Sequence, residues 1–556
     1  MQRLSERIKR ETILLSATIL YAVTVWLVFP YLRYYVDNPD TISYLTIAEK
    51  YATGDFALAV NGYWSPLLSW MLAFVIKWMA NEILAFKVLQ LLIGWFALYQ
   101  FISIAQEIIH SITLRYIIVF ASVPFMVSYS LLNLTPDLLF LAVVMFYLRM
   151  VSEREFFNYR NFGLIAGVFG LLLYFSKSFG FVFFLTHFSV LIFRSYLVTK
   201  EYAFKKHLRR NYLMALTAFF LISSIWVYLI SAKYGHLTIS ENVYMNLSRE
   251  VVAGPEMENK LPILSGGLYK PGNFSAVNAW ENPETAVNFT PLHPLTYEAD
   301  KQLYKQVLTR NLLAIYYFDF RNQTGLIFLL LLLIFLFTRK RKKTWTDDYF
   351  FSMLIALVFV YAGYSLILVH ARYTWLCNLL MLLLSAWLLE ELFSEKKFQK
   401  IFIPIAGFFL ALLAVKRPVK EILFTHDKPI LFSNLFNAVL HPVPTIKHTY
   451  YTDLQFFSAI NEMKKVIAPG ENIISLEGPN AERDCYTRTS LLAYMSGAKY
   501  FGQSTKEEGS DLAILEGANI SHIVTYSTPK IFPDSSGWKV TFRKEAIPLE
   551  IYSRER

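Results

Sequence analysis

The sequence predicts an α-helical polytopic membrane protein with about eleven crossings and a small extracytoplasmic α/β domain at its C-terminal end. Three observations predict it. Of the 556 residues, 55% are hydrophobic and only 17% are charged, where an average soluble domain carries about a quarter. Apolar runs at 13–29, 213–231, 325–338, 350–369 and 375–392 approach the roughly 20 residues that cross a bilayer core. Lys and Arg gather in short clusters beside such runs: "RLSERIKR" at 3–10, "KKHLRR" at 205–210, "RKRKK" at 339–343 and "EKKFQK" at 395–400. These clusters mark cytoplasmic loops, because Lys and Arg are retained on that side during insertion. They also supply much of the formal charge of +11, which is therefore no argument for a nucleic-acid partner. Cys377 and Cys485 are far apart in the chain and give no disulfide framework. No small-residue cleavage site follows the first run, so it reads as an uncleaved span.

With the basic clusters in the cytoplasm, one run precedes residue 36, so the stretch "VDNPDTISYLTIAEKYATGDF" at 36–56 lies outside. The further runs fall at 83–108, 115–132, 137–151, 162–175, 180–197, 213–233, 323–338, 349–369, 373–392 and 401–416. The segment 65–80, "SPLLSWMLAFVIKWMA", is short, opens with a proline and carries Lys77. Were it a crossing, every later basic cluster would face outward, so it reads as an interfacial helix. The membrane domain is thus 1–416, with outer loops at 31–82 and 234–322, followed by an extracytoplasmic domain at 417–556. In that tail "TDLQFFSAINEMKKVIAPG" has helical periodicity and closes on Pro-Gly, while "NIISLEG", "HIVTYS" and the two halves of "WKVTFRKEAIPLEIYS" read as strands. The long outer loop, rich in Asn, Pro, Gly and aromatics, reads as an ordered binding or capping element.

Asn38-Pro39-Asp40 is a helix start: Asn caps, Pro suits the first helical position and Asp sits in the first turn. The helix runs from about 39 to 53, ends at Gly54, and lines up Asp40, Tyr44, Ile47 and Tyr51 on one face. Thr135-Pro136-Asp137 repeats the construction. Taken singly, such an Asp stabilises the helix dipole by about 0.3–1 kcal/mol and needs no other role. Two of them at one outer level, with Lys177 in "YFSKSFGF" and Arg372-Tyr373 in "VHARYTW", point to a site, since ionisable groups at membrane depth are costly. Cations suit a phosphate, and a carboxylate can take a proton from an attacking hydroxyl. Asp37 is a further acid of the same stretch, and His370 reads as an interfacial or pocket residue.

The pattern "PDTISYLTIAEKYATGDF…GYWSPLLSW", then "LTPDLLFLAVVMF", "SKSF" and "ARYTW", resembles the GT-C glycosyltransferases. The nearest branch holds the protein O-mannosyltransferases and the bacterial transferases that add aminoarabinose to lipid A. The shared marks are Asp40, Tyr44 four residues on, Gly54-Asp55-Phe56, and an interfacial helix opening at Pro66. The resemblance implies the GT-C fold and a transferase that moves a hexosyl or pentosyl group from a polyprenyl-phosphate donor to a lipid, glycan or protein acceptor. It implies Asp40 as base, Asp137 as the second acidic position, Lys177 near the donor phosphate, and Arg372 and Tyr373 in a late motif that holds the lipid phosphate. That late motif departs from the family in continuing as "RYTWLCNLLML", without prolines. Asp37 is extra and able to assist or replace Asp40. The expected compartment is a bacterial inner membrane with the site outside.

A single displacement predicts inversion at the anomeric carbon. Asp37, Asp40 and Asp137 also offer hard oxygen ligands to Mg²⁺ or Mn²⁺, and related oligosaccharide-transferring enzymes of this superfamily use such an ion. Two other classes compete: a transporter or flippase for a lipid-linked or anionic substrate, and a ligase or polymerase of lipid-linked glycans. Transporters place paired charges near the midplane of inverted repeats. Here the charges gather at one face and a soluble domain is appended, which favours an enzyme.

Overall fold

In the computed structural model of the chain, the described residues are 2–153, 156–157, 159, 161–243, 245–247, 267–286, 297–321, 324–338, 343–393, 401–423, 449–476, 485–504, 512–526, 537–544 and 549–554. The basic stretch 395–400, most of 339–343 and part of the long outer loop fall outside them.

All eleven apolar runs are helices. They are α1 (Gln2–Leu32), α5 (Glu82–Ile108), α6 (Ile112–Leu132), α7 (Asp137–Ser152), α8 (Phe162–Ser176), α9 (Phe179–Val198) and α10 (Tyr202–Tyr234), then α12 (Thr324–Leu336), α13 (Asp348–Ser365), α14 (Trp375–Leu392) and α15 (Phe402–Leu423). Between the first two stand α2 (Asp40–Thr53), α3 (Phe56–Ala59) and α4 (Pro66–Ile76), and before α12 stands α11 (Glu298–Ile315). By length and composition alone, eight helices among the described residues can cross a membrane, or nine if the bent pair α11–α12 counts as one crossing. The other short ones are α7 and α8, of 16 and 15 residues. At 1.5 Å per residue α7 is about 24 Å long, less than the ~30 Å core, so at least one of its ends lies below the surface. The segment at 65–80 holds only the 11-residue α4, which buries Leu68, Leu72 and Ala73 and exposes Phe74, as a helix lying on a surface does.

Lipid gives helices no hydrophobic reason to associate, so close approach by small residues matters. Helices α8 and α10 show it. A Cβ on Gly163 would lie 2.3 Å from the Asn211 carbonyl oxygen, and one on Gly167 would lie 2.7 Å from that of Ala215. The centre of the bundle is α7 and α14, buried on nearly every side. One end of the bundle gathers the ends of α5, α6 and α14, where Glu390 accepts the backbone N–H groups of His110 (2.8 Å) and Ser111. The starts of α2, α7 and the turn before α14 meet at the other end.

Helix α15 continues through Pro418 to Leu423, so residues 417–423 extend the last apolar helix. Beyond it come α16 (Thr449–Met463), α17 (Cys485–Ser496) and α18 (Leu512–Gly517) around a five-stranded sheet of order β2-β1-β3-β5-β4. The strands are β1 (Asn472–Leu476), β2 (Lys499–Ser504), β3 (His522–Thr525), β4 (Trp538–Lys544) and β5 (Leu549–Arg554). Strands β2, β1 and β3 run parallel; β5 is antiparallel to both β3 and β4. The outer loop covers the free edge of β2: Gly267 and Tyr269 donate to the Gln503 and Phe501 carbonyls at 2.9 and 2.6 Å, and the Tyr500 amide donates to Val277 at 2.7 Å. An uncovered strand edge is a template for unwanted pairing, and this one is closed by the chain itself.

Candidate active site

The loop that starts α2 aims its first acid. The helix starts one residue later than the sequence predicts, with Pro39 rather than Asn38 at the cap; Asn38 Oδ1 accepts the Asp40 amide at 2.9 Å, and the helix ends where Gly54 takes φ +90°, as the sequence predicts. Asp40 is thereby delivered to the interior at 6% exposure. Asp137 opens α7 in the same way at 5%, with Thr135 Oγ1 donating to its Oδ2 at 2.9 Å.

Arg372 joins the two. It lies in the 3₁₀ turn Ala371–Thr374 ahead of α14, with Nη2 2.6 Å from Asp40 Oδ2 and Nε 3.4 Å from Asp137 Oδ2. Lys177, between α8 and α9, pairs with Asp137 Oδ1. Its ammonium stands 3.6 Å from the ring centroid of Tyr373 and 4.9 Å from that of Tyr364, two rings stacked at 4.8 Å. Residues 332 apart in the chain are thus brought to one cluster holding two carboxylates and two cations. The cations keep more solvent contact, 17% and 15% of their side chains against 8% and 4% for the acids, so an incoming anion meets them first. Arg372 Nη1 is buried and makes no hydrogen bond among the described residues. Burial lowers the Lys177 ammonium to about 8, against the opposing pull of Asp137.

The other expected residues lie around this cluster. His370 stands edge-on to Tyr373 at 5.2 Å. Tyr44 is buried against Trp64 at 5.2 Å. Asp37 sits just before α2, its Oδ1 buried and without a hydrogen bond among the described residues. Burial pushes its carboxyl up to about 7 although Arg372 and Lys87 pull it down.

Sequence reasoning missed several members. Trp280, from the outer loop, donates its indole N–H to Asp40 Oδ1 at 2.9 Å. It packs with Tyr63 and Trp64 at 5.6 and 5.9 Å. Its loop is held by the buried Lys50–Glu281 pair, by Asn61 Nδ2 on the Glu281 carbonyl at 2.8 Å, and by Asn278 Nδ2 on Ser490 of the C-terminal domain at 3.2 Å. No periodicity singles out this tryptophan. Lys87, buried in α5 and donating to the Leu131 carbonyl, has the same standing.

A divalent ion does not fit this arrangement. Among the described residues no three His, Cys, Asp or Glu side chains converge, and the space between Asp40 and Asp137 is filled by the Arg372 guanidinium.

No protein-family model matches the sequence, and neither does any curated protein. The fold does have relatives. The chain superposes on ArnT from Cupriavidus metallidurans in the apo state with a TM-score of 0.51 at 10% identity, covering 96% of this chain and 97% of that one. The same protein bound to undecaprenyl phosphate gives the same values. The archaeal oligosaccharyltransferase AglB from Archaeoglobus fulgidus, in complex with an inhibitory peptide and a dolichol-phosphate, matches at 0.51 and 11% identity over 93% of this chain and 69% of that one. The architecture is the GT-C fold of a polytopic membrane protein, with a small C-terminal sheet domain.

Proposed function

We propose that the chain is an integral-membrane glycosyltransferase that moves a sugar from a polyprenyl-phosphate donor to an acceptor hydroxyl with inversion. One observation carries the reading: a carboxylate, Asp40, and two cations, Lys177 and Arg372, meet at one end of the bundle in a fold shared with proteins whose structures hold undecaprenyl phosphate and dolichol-phosphate.

In this reading the acceptor oxygen attacks the anomeric carbon as the bond from that carbon to the phosphate oxygen breaks. The hydroxyl proton passes to Asp40, and the leaving electron pair stays on the phosphate. Trp280 and Arg372 hold the two Asp40 oxygens, and each oxygen keeps a further lone pair for the proton. Lys177 and the unbonded Nη1 of Arg372 face the charge that grows on the phosphate, where preorganised donors in a dry site are worth several kcal/mol. Asp137 keeps both cations in place. Asp37, three residues before Asp40, is the acid able to assist or replace it. The cluster lies at the end opposite Arg10 and the Lys205–Arg210 region, which by the basic-loop rule supports an extracytoplasmic site and C-terminal domain. The acceptor is a lipid, glycan or protein that reaches this face.

The test is turnover of a radiolabelled polyprenyl-phosphate sugar in proteoliposomes. A new glycosidic bond on an acceptor supports the reading. Movement of the lipid-linked sugar across the bilayer with no bond formed defeats it in favour of a flippase.

A further inference from the structure

We infer that Asp319 is a positioning residue for Arg372, acting through the hydroxyl of Thr374. This rests on the proposed role of Arg372 at the donor phosphate. Asp319 lies in none of the patterns that mark the cluster, yet it is 1% exposed in a helical bundle, where an acid is expensive to keep.

The backbone there is unusual. Residues Tyr316–Phe320 form a single π-turn at the end of α11, a widening that displaces carbonyls from the helical ladder and recurs at functional sites. The Phe318 carbonyl is answered by Arg417 Nη1 at 2.9 Å, from α15. The Asp319 carboxylate then gathers three elements. Tyr361 of α13 donates to Oδ2 at 2.8 Å, Thr374 Oγ1 donates to Oδ1 at 2.9 Å, and Arg417 stands 4.0 Å away. Arg417 is itself oriented by Glu421 at 2.8 Å, and Glu421 by Ser128 of α6 at 3.1 Å.

Thr374 is the last residue of the turn that carries Arg372 and Tyr373. Its hydroxyl has one proton and two acceptors in reach, the Ala371 carbonyl at 3.1 Å and the nearer Asp319 carboxylate. A charged acceptor makes the stronger bond. The turn is therefore held from both sides: Arg372 reaches forward to Asp40 and Asp137, and Thr374 reaches back to a carboxylate fixed by two helices. Chemistry at Arg372 requires its guanidinium within about 0.5 Å of the productive place. A short turn of 3₁₀ geometry has little internal stiffness, so the rear anchor supplies that tolerance.

The experiment uses the full chain in lipid nanodiscs with undecaprenyl phosphate as the probe. Thr374→Val removes the hydroxyl at equal size, and Thr374→Ser keeps it. Loss of a hydrogen bond to a charged group corresponds to about a tenfold weakening. The valine variant is expected to bind the probe about tenfold more weakly and to lose some melting temperature, because the buried Asp319 loses a partner, and the serine variant to match the wild type within about twofold in affinity and in melting temperature. Asp319→Asn should weaken binding in the same direction. In an Arg372→Ala background Thr374→Val should add nothing, because its effect runs through the arginine. Wild-type affinity in Thr374→Val, or an equal loss with Arg372 already removed, overturns the inference. So does a loss that serine fails to rescue. A wild-type chain that binds undecaprenyl phosphate yet forms no glycosidic bond defeats the transferase reading and leaves this inference intact.

Discussion

Two arginines at opposite ends of the bundle make a natural control. Arg194, near the end of α9, spends every nitrogen: Nη1 on Asp348, and Nε and Nη2 on the Trp345 carbonyl, with the Nε bond at 2.8 Å. Asp348 opens α13, so this guanidinium ties helix ends together with a bond from each of its nitrogens. Arg372 makes the same kind of bridge, between two acids at helix starts, but leaves one buried nitrogen unbonded and more of its side chain open. What separates Arg372 from Arg194 is that spare nitrogen beside two acids and a second cation, Lys177.

The comparison can be broken in several ways. Asp40→Asn should show the largest effect, a fall in kcat of about 10²–10⁴-fold with donor affinity little changed. If turnover stays near normal, the base is elsewhere, and Asp37 and Asp137 are the next to replace. Arg372→Ala should raise the donor KM by about 10–100-fold and also lower the melting temperature, because two buried acids lose their shared partner. Arg194→Ala should cost about 1–3 kcal/mol of stability while the KM stays put. Matching profiles for the two variants would erase the distinction between the two arginines.

Lys177 sharpens it by pH. The ammonium, lowered to about 8, is charged below that value and neutral above, so its grip on a phosphate is full in mildly acidic and neutral buffer and fades as the pH rises through 8. Donor kcat/KM should fall above pH 8 in the wild type, and Lys177→Arg should remove that fall. The smallest effect belongs to Trp280→Phe, which keeps the ring and loses one hydrogen bond to Asp40; a several-fold drop in kcat is expected.

What the sequence exposed and what it hid follow one rule. Features written in neighbouring residues were legible: the apolar runs, the Asn-Pro-Asp and Thr-Pro-Asp helix starts, and the glycine that ends α2. The cations were legible because Lys and Arg stand out where outer ends should lack them. What depends on distant partners was not. Trp280 meets Asp40 across 240 positions, and nothing near it distinguishes it from the other aromatics of its loop. Asp319 looks like one acid at the foot of a polar helix until Thr374 is seen beside it. Strand β2, "KYFGQS", escaped because it is brief, polar at both ends and interrupted by Gly502. Lys87 was passed over as a charge inside an apolar run, although its ammonium reaches the carbonyl that ends the next helix.

The outer-loop segment that lines β2 couples two parts of the molecule. A single stretch of about twenty residues is joined to the C-terminal domain at Gly267, Tyr269, Val277 and Asn278, and carries at Trp280 the indole that bonds Asp40. A shift of that domain would pass through Asn278 and two further residues to the hydrogen bond on Asp40. Removing the domain would take away the contacts that hold the Trp280 loop as well as uncover the edge of β2.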